Sequence, residues 1–507
     1  MTYFNETGQL PADAIEKEIF GEIEQVSPSQ KAREARLKDF NYENEVIIPK
    51  ETKPSTEKIE EITKQESDRL KRRYMSQFDF GIDWLNGYTG LLKKSLPSTY
   101  PQIELKAIQN LAFLLSHGGL RVGGFYMLDL SDSGVGKGIN FSTQNKLLFD
   151  PIRRSDREAR QEQKDRIRQM IEDKEISKAD ADKKYKLIGS IHEKNTSTEG
   201  LCQCFETTKT QMLEMEELGN ILKMDKNTII DFIVSAHGKD RIKTPSQKIN
   251  AHAEPYIEQA NFFFYADTNL AYLSSKQLMH HLEGGFFNRC IMVYCADELD
   301  YKDTQIIPIP AHKENEYMEL SSEIYEFAKE FSEYEINRNY LATNDILINF
   351  AERVRAAEQE SNRLYKQSNS TVYKVMSLAN RRTTYNLTSI IITLHYLQEF
   401  TKYRACKKNN EEYKFEYLVS DETVKKGVEF LRGYLDFSPL IDKITNVSVS
   451  DKIDLKDKII SWVTKQQLPV AFRDIQMNVS GKPTKQQIIN LCSDVFKIDG
   501  NKITSIL

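Results

Sequence analysis

The order of apolar and polar positions predicts alternating helices and strands in the first half of the chain. Between 103 and 117 an apolar residue recurs every three or four positions, which predicts a helix with one apolar face that carries Leu105, Ile108, Leu111 and Leu115. The apolar run GGFYMLDL at 123–130 lies between glycines and the polar stretch SDSG, and predicts a buried strand that runs into a loop. A helix over about 137–149 is expected after that loop.

Three later apolar runs predict further strands of the same sheet. They are TKTQMLEM at 208–215, ANFFFYADTN at 260–269 and RCIMVYCAD at 289–297. Helical patterns separate these runs, and strands that alternate with helices are typical of a parallel sheet. We therefore expect an α/β fold with a mostly parallel sheet.

Changes of character along the chain predict the domain organisation. Residues 1–74 are rich in charge and poor in aromatic residues, which predicts a flexible arm. The predicted α/β core covers 75–312 and contains a charge-dense helical insertion at about 153–190. Residues 313–437 show only helical periodicity and predict a helical subdomain or lid, and 454–507 form a separate small module.

Composition narrows the classes of protein to consider. The 507 residues are 39% hydrophobic and 29% charged with a formal net charge of −5, so contact with nucleic acid would depend on local basic surfaces. No apolar run approaches the roughly 18 residues that span a bilayer, and the N-terminus lacks the pattern of a secretory signal. We expect a cytoplasmic protein without a membrane partner, located in the host cytoplasm if a phage encodes it.

The six cysteines are too few for the disulfide framework of a secreted protein. Cys202 and Cys204 form a C-x-C pair, but no second pair of Cys or His follows at the spacing of a zinc site. Both fall in an apolar helical pattern. The sequence therefore predicts buried, reduced thiols rather than metal ligands.

The loop at 131–138, SDSGVGKG, carries the clearest candidate chemistry. It matches the phosphate-binding pattern G-x-x-x-x-G-K-[ST] at Gly136 and Lys137, but Ser131 replaces the first glycine and Gly138 replaces the Mg²⁺-binding hydroxyl. Glycines allow backbone N–H groups to surround a phosphate, and the following helix adds its dipole. An ordinary strand-to-helix turn is the alternative. The predicted cofactors are ATP and Mg²⁺, and the predicted nucleotide-binding residues are Ser133, Gly134, Val135, Gly136, Lys137 and Gly138.

Polar residues at the ends of two later strands are candidates for catalysis. Glu216 and Glu217 follow a strand that is expected to flank the loop strand, where carboxylates can hold Mg²⁺ through water and polarise the attacking water. An acidic pair that stabilises a helix N-terminus is the alternative. Thr268 and Asn269 lie at the tip of the 260–269 run, where a polar side chain can sense the γ-phosphate. An N-cap of the next helix is the alternative there.

Two basic features are candidates for contacts beyond one subunit. Arg289 follows a Gly-Gly-Phe-Phe-Asn turn and precedes a strand, a position from which a guanidinium can reach a neighbouring site as an arginine finger. A surface salt bridge is the alternative. The basic segment at 236–244 predicts a loop facing a pore, in which Lys239, Arg241 and Lys243 contact phosphates, although a solvated turn is the alternative.

The last fifty residues predict a small DNA-binding or protein-docking module. LKDKIISWVTKQ, VAFRDIQMNV and TKQQIINLCSDV each form an amphipathic helical pattern, and FKIDGNKITSIL predicts a hairpin around Asp499-Gly500-Asn501. Three helices and a hairpin are typical of a winged helix. The residues expected on the exposed face of the third helix are Lys482, Lys485, Gln486, Gln487 and Asn490.

Together these motifs resemble a poorly characterised family of helicase- or primase-associated P-loop ATPases of phages and mobile elements. The matching features are SGVGKG, TSTEGL at 196–201, EELGNIL at 216–222, the strand ending in ADTN, and GGFFNR. The resemblance covers roughly 100–400 and implies a RecA- or AAA-type core that uses ATP with Mg²⁺ in replication. It makes Lys137 the phosphate lysine, Glu216 and Glu217 the Walker B pair, Thr268 or Asn269 the sensor, and Arg289 the finger.

The sequence thus predicts an ATPase that translocates DNA, namely a hexameric replicative helicase with single-stranded DNA in its central channel. Other replication proteins are expected to bind the N-terminal arm or the winged helix. One alternative is a replication initiator or helicase loader that uses ATP as an assembly switch. Another is a nucleotide-binding regulatory or structural protein without hydrolysis, which Gly138 favours because it puts turnover in doubt more than nucleotide binding.

Overall fold

A computed structural model describes residues 76–506, so the predicted arm at 1–74 lies outside the described residues. Several internal segments also lie outside the description. They are 132–134, 178–179, 182–183, 194–195, 223–227, 240, 244–255, 271–272, 296–305, 337, 369–370, 380–382, 436–439, 442–443, 445–458, 461, 465, 467, 480–483 and 494.

A five-stranded parallel sheet forms the centre of the protein. The strands up to residue 293 are β1 (Tyr126–Asp129), β2 (Ile191–His192), β3 (Thr210–Met215), β4 (Arg241–Lys243), β5 (Tyr256–Glu258), β6 (Asn261–Asp267) and β7 (Cys290–Val293). The order in the central sheet is β2-β3-β6-β1-β7, and all of its strand pairs are parallel. The prediction of an α/β fold with a mostly parallel sheet is therefore confirmed. The short β2 and the separate antiparallel pair β4–β5 had no counterpart in the prediction.

Helices surround the sheet and fill most of the second half of the described chain. None of those described helices combines the length and the apolar character that a bilayer span requires. Their bounds are α1 (Asp83–Ser95), α2 (Tyr100–Gly118), α3 (Lys137–Leu148), α4 (Asp150–Glu172), α5 (Thr198–Thr207), α6 (Gly219–Leu222), α7 (Thr228–Ala236), α8 (Ser275–Glu283), α9 (Ala311–Glu330), α10 (Arg338–Ala342), α11 (Asp345–Ser368), α12 (Thr371–Ala379), α13 (Thr383–Asn409) and α14 (Asp421–Arg432).

The two faces of the sheet belong to two different hydrophobic clusters. Alternate residues of a strand point to opposite faces, so Met127 joins one cluster while Tyr126 and Leu128 join the other. The first cluster contains apolar side chains of α1, α2, α9, α13 and α14. The second contains apolar side chains of α5, α7, α8 and α12. The sheet is thus covered on both faces, as parallel sheets require.

Helix α2 is buried on almost every side, whereas the sequence predicted a single apolar face. It begins with a capping box between Thr99 and Gln102. Its polar residues Lys106, Gln109 and Asn110 are as deeply buried as its leucines. The reason is that α2 lies between the sheet on one side and α9 and α13 on the other, so both faces of the helix are covered.

Both segments that were predicted to be helical, the insertion at about 153–190 and the lid at 313–437, contain helices. The charge-dense segment begins with α4, whose exposed residues are mostly charged. Asp156 is a charged residue of α4 that is buried. Its carboxylate accepts hydrogen bonds from the backbone N–H and the hydroxyl of Ser190. The predicted boundary at 313 stays a prediction, although α9 and α13 share one hydrophobic cluster with α2 and the sheet.

The C-terminal residues form a small module with its own hydrophobic core. Residues 459–460 and 462–463 are helical, and the later elements are β8 (Val470–Ala471), α15 (Phe472–Asn478), α16 (Lys485–Cys492), β9 (Phe496–Asp499) and β10 (Lys502–Ile506). The sheet order is β8-β10-β9. Gly500 adopts a positive φ of 59°, which the predicted hairpin turn favours. The hairpin is confirmed, and β8 is an additional strand.

Candidate functional site

The loop at 131–138 lies at the carboxyl edge of the sheet, between the end of β1 and the start of α3. β1 ends at Asp129 and lies between β6, which ends at Asp267, and β7. Ligands of parallel α/β proteins bind at this edge, because helix N-termini and polar strand ends meet there. Asp132, Ser133 and Gly134 lie outside the described residues.

Gly136 occupies a position that only glycine fits. It precedes α3 with a φ of +76°, in the left-handed region. A Cβ at this position would lie 2.6 Å from Pro97 Cγ and 2.9 Å from Ser98 Oγ. Ser98 also donates a 3.0 Å hydrogen bond to the Gly136 carbonyl. The second glycine of the predicted motif is therefore explained by backbone conformation and by the close approach of 97–98.

Lys137 is the first residue of α3, and its side chain lies within its own loop. Its Nζ donates a 2.6 Å hydrogen bond to the Ser131 carbonyl. The N–H groups of the first helical turn lack partners inside the helix and carry a partial positive charge. The ammonium and the helix N-terminus thus lie together, an arrangement that can bind an anion. Val135 is buried beside them, whereas Gly138 is exposed.

Asp129 is a buried carboxylate at this edge that the sequence analysis missed. It accepts a 3.0 Å hydrogen bond from the Ser131 backbone and another from Gln102 Nε2. Burial raises the pKa of Asp129, although Ser131 and the charge of Lys137 oppose the shift. The signal available in the sequence was an aspartate as the next-to-last residue of an apolar run.

Asp267 is a second buried carboxylate, directly opposite Asp129 in the parallel register. One of its oxygens accepts a 3.2 Å hydrogen bond from the Glu217 backbone. Burial raises the pKa of Asp267 to about 6, and the nearby charges of Asp129 and Glu216 act in the same direction. The edge therefore concentrates negative charge around one lysine, as a site for a cation together with a phosphate would.

Glu216 and Glu217 are exposed at the end of β3, but β3 does not flank the loop strand. That expectation is wrong, because β6 pairs with β1 and separates it from β3. Glu217 has a positive φ of 56°, an uncommon conformation for a non-glycine residue. The following Leu218 backbone donates to the Asp267 carbonyl at 2.9 Å. The turn after β3 is thus attached to the end of β6, which brings the acidic pair toward the loop.

Thr268 and Asn269 follow β6 at the same edge. The Thr268 backbone donates a 2.9 Å hydrogen bond to the Asp129 carbonyl, so the two strand ends stay paired past the sheet. Thr268 is buried and Asn269 is half-buried. Ser274 caps α8, so Thr268 and Asn269 do not cap that helix, and their alternative interpretation as an N-cap stays a prediction for the 3-10 turn that begins at Leu270.

Arg289 lies at the opposite, amino edge of the sheet. It precedes Cys290, which pairs with Tyr126 at the start of β1. One β1 length, about 10 Å at 3.3 Å per residue, separates this edge from the loop. The Arg289 guanidinium donates to the Gly285 carbonyl in its own turn, and Asn386 donates to the Arg289 carbonyl. A direct role of Arg289 at the loop of its own subunit therefore does not fit this geometry.

The predicted nucleic-acid contacts are only partly described. Lys239 is exposed, and Arg241 in β4 forms an ion pair with Glu258 at 2.6 Å and stacks over the Tyr256 ring at 3.9 Å. The charge of Arg241 is thus balanced within the β4–β5 pair. Lys243 ends β4, but its side chain lies outside the description.

The C-terminal candidates are described to a similar extent. Lys485 and Asn490 are exposed on α16. Gln486 and Gln487 belong to α16, but their side chains lie outside the description. Lys482 also lies outside the described residues.

Metal binding by protein side chains alone has no support in the described part of the chain. No group of three or more His, Cys, Asp or Glu residues there is arranged to hold a metal ion. Cys202 and Cys204 are buried free thiols, as predicted, and burial raises their pKa values to about 12 and 11. Mg²⁺ that accompanies a nucleotide needs only one or two carboxylates, because phosphates supply further ligands. Glu216 is an exposed carboxylate that fits this role.

No protein-family model matches this chain, and no curated protein matches its sequence. The resemblance to P-loop ATPases of phages and mobile elements thus rests on the motifs themselves. The geometry of the carboxyl edge carries the functional argument.

Proposed function

We propose that this protein is an ATP-dependent motor that translocates DNA, most simply a hexameric replicative helicase of a phage or mobile element. The observation that carries the proposal is the position of Gly136 and Lys137. They connect a central parallel strand to a helix N-terminus, at the edge where Asp129 and Asp267 also end their strands. This context is the one that a phosphate-binding loop requires.

The order of the strands supports the same proposal. The strand that carries the loop, β1, is separated from the acidic strand β3 by β6. β6 ends at the same carboxyl edge, so its polar end lies between the loop and the acidic pair. In this arrangement Thr268 and Asn269 lie between the phosphates and the acidic pair, where a sensor acts.

The chemistry follows from the residues at the edge. Lys137 and the N-terminus of α3 bind the β- and γ-phosphates. Glu217 orients and polarises the attacking water, and Thr268 or Asn269 detects the γ-phosphate. When bound, Mg²⁺ neutralises phosphate charge, and Glu216 is the carboxylate placed to hold its water shell. Arg289 of a neighbouring subunit supplies charge to the transition state.

DNA contact is assigned to two elements. The β4–β5 pair, with Lys239, Arg241 and Lys243, follows the backbone of a single strand in the channel. We propose that the C-terminal module is a winged helix, and its order of helix, strand, helix, helix and hairpin supports this proposal. Its exposed Lys485 belongs to the helix that would face DNA or a partner protein.

Two other functions share the nucleotide site. A replication initiator or helicase loader would use ATP for assembly without unwinding. A regulatory protein would bind ATP without hydrolysis, and Gly138 favours this reading because the position lacks the hydroxyl that binds Mg²⁺. Unwinding of a forked duplex would indicate the helicase. ATP-dependent assembly without unwinding would indicate the initiator or loader, and ATP binding without turnover would indicate the regulatory protein.

Substitution of Lys137 tests the nucleotide site directly. Lys137→Ala should abolish binding of a fluorescent ATP analogue, because no other described cation lies within the loop. Lys146→Ala is the matched control, since Lys146 is exposed on the same helix and pairs with Glu314 at 2.7 Å. Equilibrium titration measures both affinities, and circular dichroism checks the fold. Equal affinity of the two variants for ATP would remove the site assignment.

A further inference from the structure

A buried ion pair lies directly behind the candidate site. Lys106 of α2 and Glu214 of β3 are 3.0 Å apart, and their side chains are 0% and 4% exposed. Glu214 is the next-to-last residue of β3, Glu216 follows the end of that strand, and both line one cavity. In the sequence, Glu214 interrupts the apolar run at 208–215 with a charge. The structure shows that the interruption by Glu214 is neutralised by a lysine of another element.

A third side chain extends this pair to the helix that follows the loop. The Asn145 amide of α3 donates to both Glu214 oxygens, at 3.1 and 2.9 Å. Asn110 of α2 in turn donates to the Asn145 carbonyl oxygen at 3.1 Å. Lys106, Glu214 and Asn145, called the buried link here, therefore join α2, β3 and α3 through charge-assisted hydrogen bonds.

Two aromatic rings fix the position of the lysine. Lys106 Nζ lies 4.2 Å from the Tyr265 ring centre and 4.9 Å from the Phe141 ring centre. These rings belong to β6 and α3 and stack on each other at 5.1 Å. The ammonium thus contacts residues of β3, β6 and α3, three of the elements that carry candidate site groups. Cation–π contacts of a desolvated lysine add to the attraction toward Glu214.

A buried ion pair is a poor device for stability. Desolvation of the two charges offsets their attraction, and apolar residues of similar volume often stabilise such a position equally well. Removal of only one partner, however, leaves an unpaired buried charge, and this charge displaces the groups around it. The buried link therefore specifies the relative position of α3 and the end of β3 more than it stabilises the fold.

We propose that Lys106 is a positioning residue of the nucleotide site, which through Glu214 and Asn145 holds the acidic pair at the end of β3 in register with the phosphate-binding end of α3. This inference rests on the proposed function. Lys106 does not touch the nucleotide. It acts by fixing the distance between the groups that bind phosphate, at the start of α3, and those that activate water, at Glu216 and Glu217.

Three variants test the link by its effect on turnover rather than on binding. Lys106→Met removes the charge and keeps the chain length, and Asn145→Ala disconnects α3 while leaving the ion pair. Both should keep ATP affinity within about threefold and lower kcat by about ten- to hundredfold, since a misplacement of about 1 Å costs that much. Lys106→Met/Glu214→Gln removes both charges and should recover most of the lost kcat, because paired groups couple strongly.

The split between affinity and turnover separates positioning from simple support of the fold. A variant that only weakens the fold should lose ATP affinity and kcat together as the folded fraction falls, whereas a displaced acidic pair should lower kcat at nearly unchanged affinity. The double variant adds a second separation, because Lys106→Met/Glu214→Gln should recover kcat only if the unpaired charge had displaced the acidic pair. Asn145, Glu214 and Glu216 line one cavity of about 600 Å³. The other charged groups around that cavity are Arg153, Asp156, Arg157 and Arg160 of α4 and Glu193 after β2.

A matched control lies one turn further along α2. Gln109 is equally buried and donates to the Phe264 carbonyl at 2.8 Å, but it has no contact with the buried link. Gln109→Met should lower the unfolding midpoint and leave the kcat of the folded protein at the wild-type value. A wild-type kcat in Lys106→Met, or the same loss of kcat in Gln109→Met, would overturn the inference. If Lys106→Met does not fold, the double variant and Asn145→Ala decide it.

The two proposals fail in different ways. A wild-type protein that binds no ATP removes the proposed function itself. A wild-type protein that binds and hydrolyses ATP, with unchanged turnover in all three variants, removes only the role of Lys106.

Discussion

The two edges of the central sheet differ in how their polar residues are held. At the carboxyl edge, Asp129 accepts a hydrogen bond from Gln102, which lies 27 positions earlier in the chain, and Asp267 accepts one from the Glu217 backbone, 50 positions away. At the amino edge, Arg289 donates to Gly285 in its own turn. Contacts between residues far apart in the chain thus hold the carboxylates at the carboxyl edge, whereas a local turn holds the Arg289 guanidinium at the amino edge.

The two edges also differ in the kinds of groups that they bury. Burial raises the pKa values of Asp129 and Asp267, which means that the fold holds two carboxyl groups where ionisation is costly. The amino edge around Arg289 instead buries Phe286, Phe287 and the Cys290 thiol. Perturbed carboxyl groups that converge at one edge are typical of functional sites. The comparison favours the carboxyl edge as the proposed site, and in that proposal Arg289 acts from another subunit.

The largest effect is expected for Arg289→Ala. An arginine finger contributes about 10³–10⁵ in rate, so this variant should lose ATP turnover while it still binds ATP. Because Arg289 lies a strand length from its own loop, activity should return when Arg289→Ala and Lys137→Ala subunits are mixed. Steady-state turnover of the mixture against each variant alone measures this.

Co-assembly of the two variants is the control for that experiment, and sedimentation of differently tagged subunits establishes it. A mixture that co-assembles without any gain in turnover would contradict action between subunits. Arg289 and the rest of the amino edge would then have only a structural role.

An intermediate effect is expected for Asp267→Asn and sharpens the description of the carboxyl edge. Because folding raises the pKa of Asp267 from 3.8 to about 6, the folded state binds a proton more tightly than the unfolded state. The free energy of unfolding contributed by this group therefore falls as the pH rises from about 4 to about 6. A shift of about 2 pH units corresponds to about 3 kcal/mol.

Asp267→Asn removes the titrating carboxyl group and with it this fall in the free energy of unfolding. The variant should therefore be more stable than wild type at pH 8 but not at pH 4. Urea unfolding at several pH values measures the difference. Asp231→Asn is the control, because Asp231 is exposed on α7 away from the edge. The same pH-dependent gain in both variants would show that the effect does not come from the buried edge.

The smallest effect is expected at Gly138, in the first turn of α3. A Cβ at this position would have no atom within 4 Å, so Ala and Ser both fit. Either substitution should stabilise the helix by up to about 1 kcal/mol, because glycine is a poor helix former. Only Gly138→Ser adds the hydroxyl of the motif, so only it should tighten Mg²⁺-dependent ATP binding.

Thermal unfolding and nucleotide titration with and without Mg²⁺ compare Gly138→Ser with Gly138→Ala. If the two variants bind ATP alike at every Mg²⁺ concentration, this position does not contribute to the metal shell.

Periodicity predicted the local elements well. The apolar runs at 123–130, 208–215, 260–269 and 289–297 all contain strands of the central sheet, and the helix after the loop begins at Lys137. Short-range signals suffice there, because strand and helix periods depend on neighbouring residues. The two-residue β2 was missed, since two residues carry no measurable period.

Residues that depend on strand order could not be predicted in the same way. The acidic pair was expected beside the loop strand, but strand order depends on which faces bury each other and not on chain order. The buried polar residues Lys106 and Asn145 gave no signal, because their hydrogen-bond partners Glu214 and Asn110 belong to other elements. Their burial is stable only because partners from other elements satisfy them.

By itself the sequence determined the elements, the loop with Gly136 and Lys137, the apolar runs and the C-terminal hairpin. These are consequences of local conformation, such as the positive φ that Gly136 and Gly500 adopt. Only the tertiary structure decided that β6 lies between β1 and β3, that Asp129 and Asp267 face each other, and that Arg289 lies at the far edge. The physical reason is that packing of helices on both faces selects the strand order, and strand order decides which polar ends become neighbours.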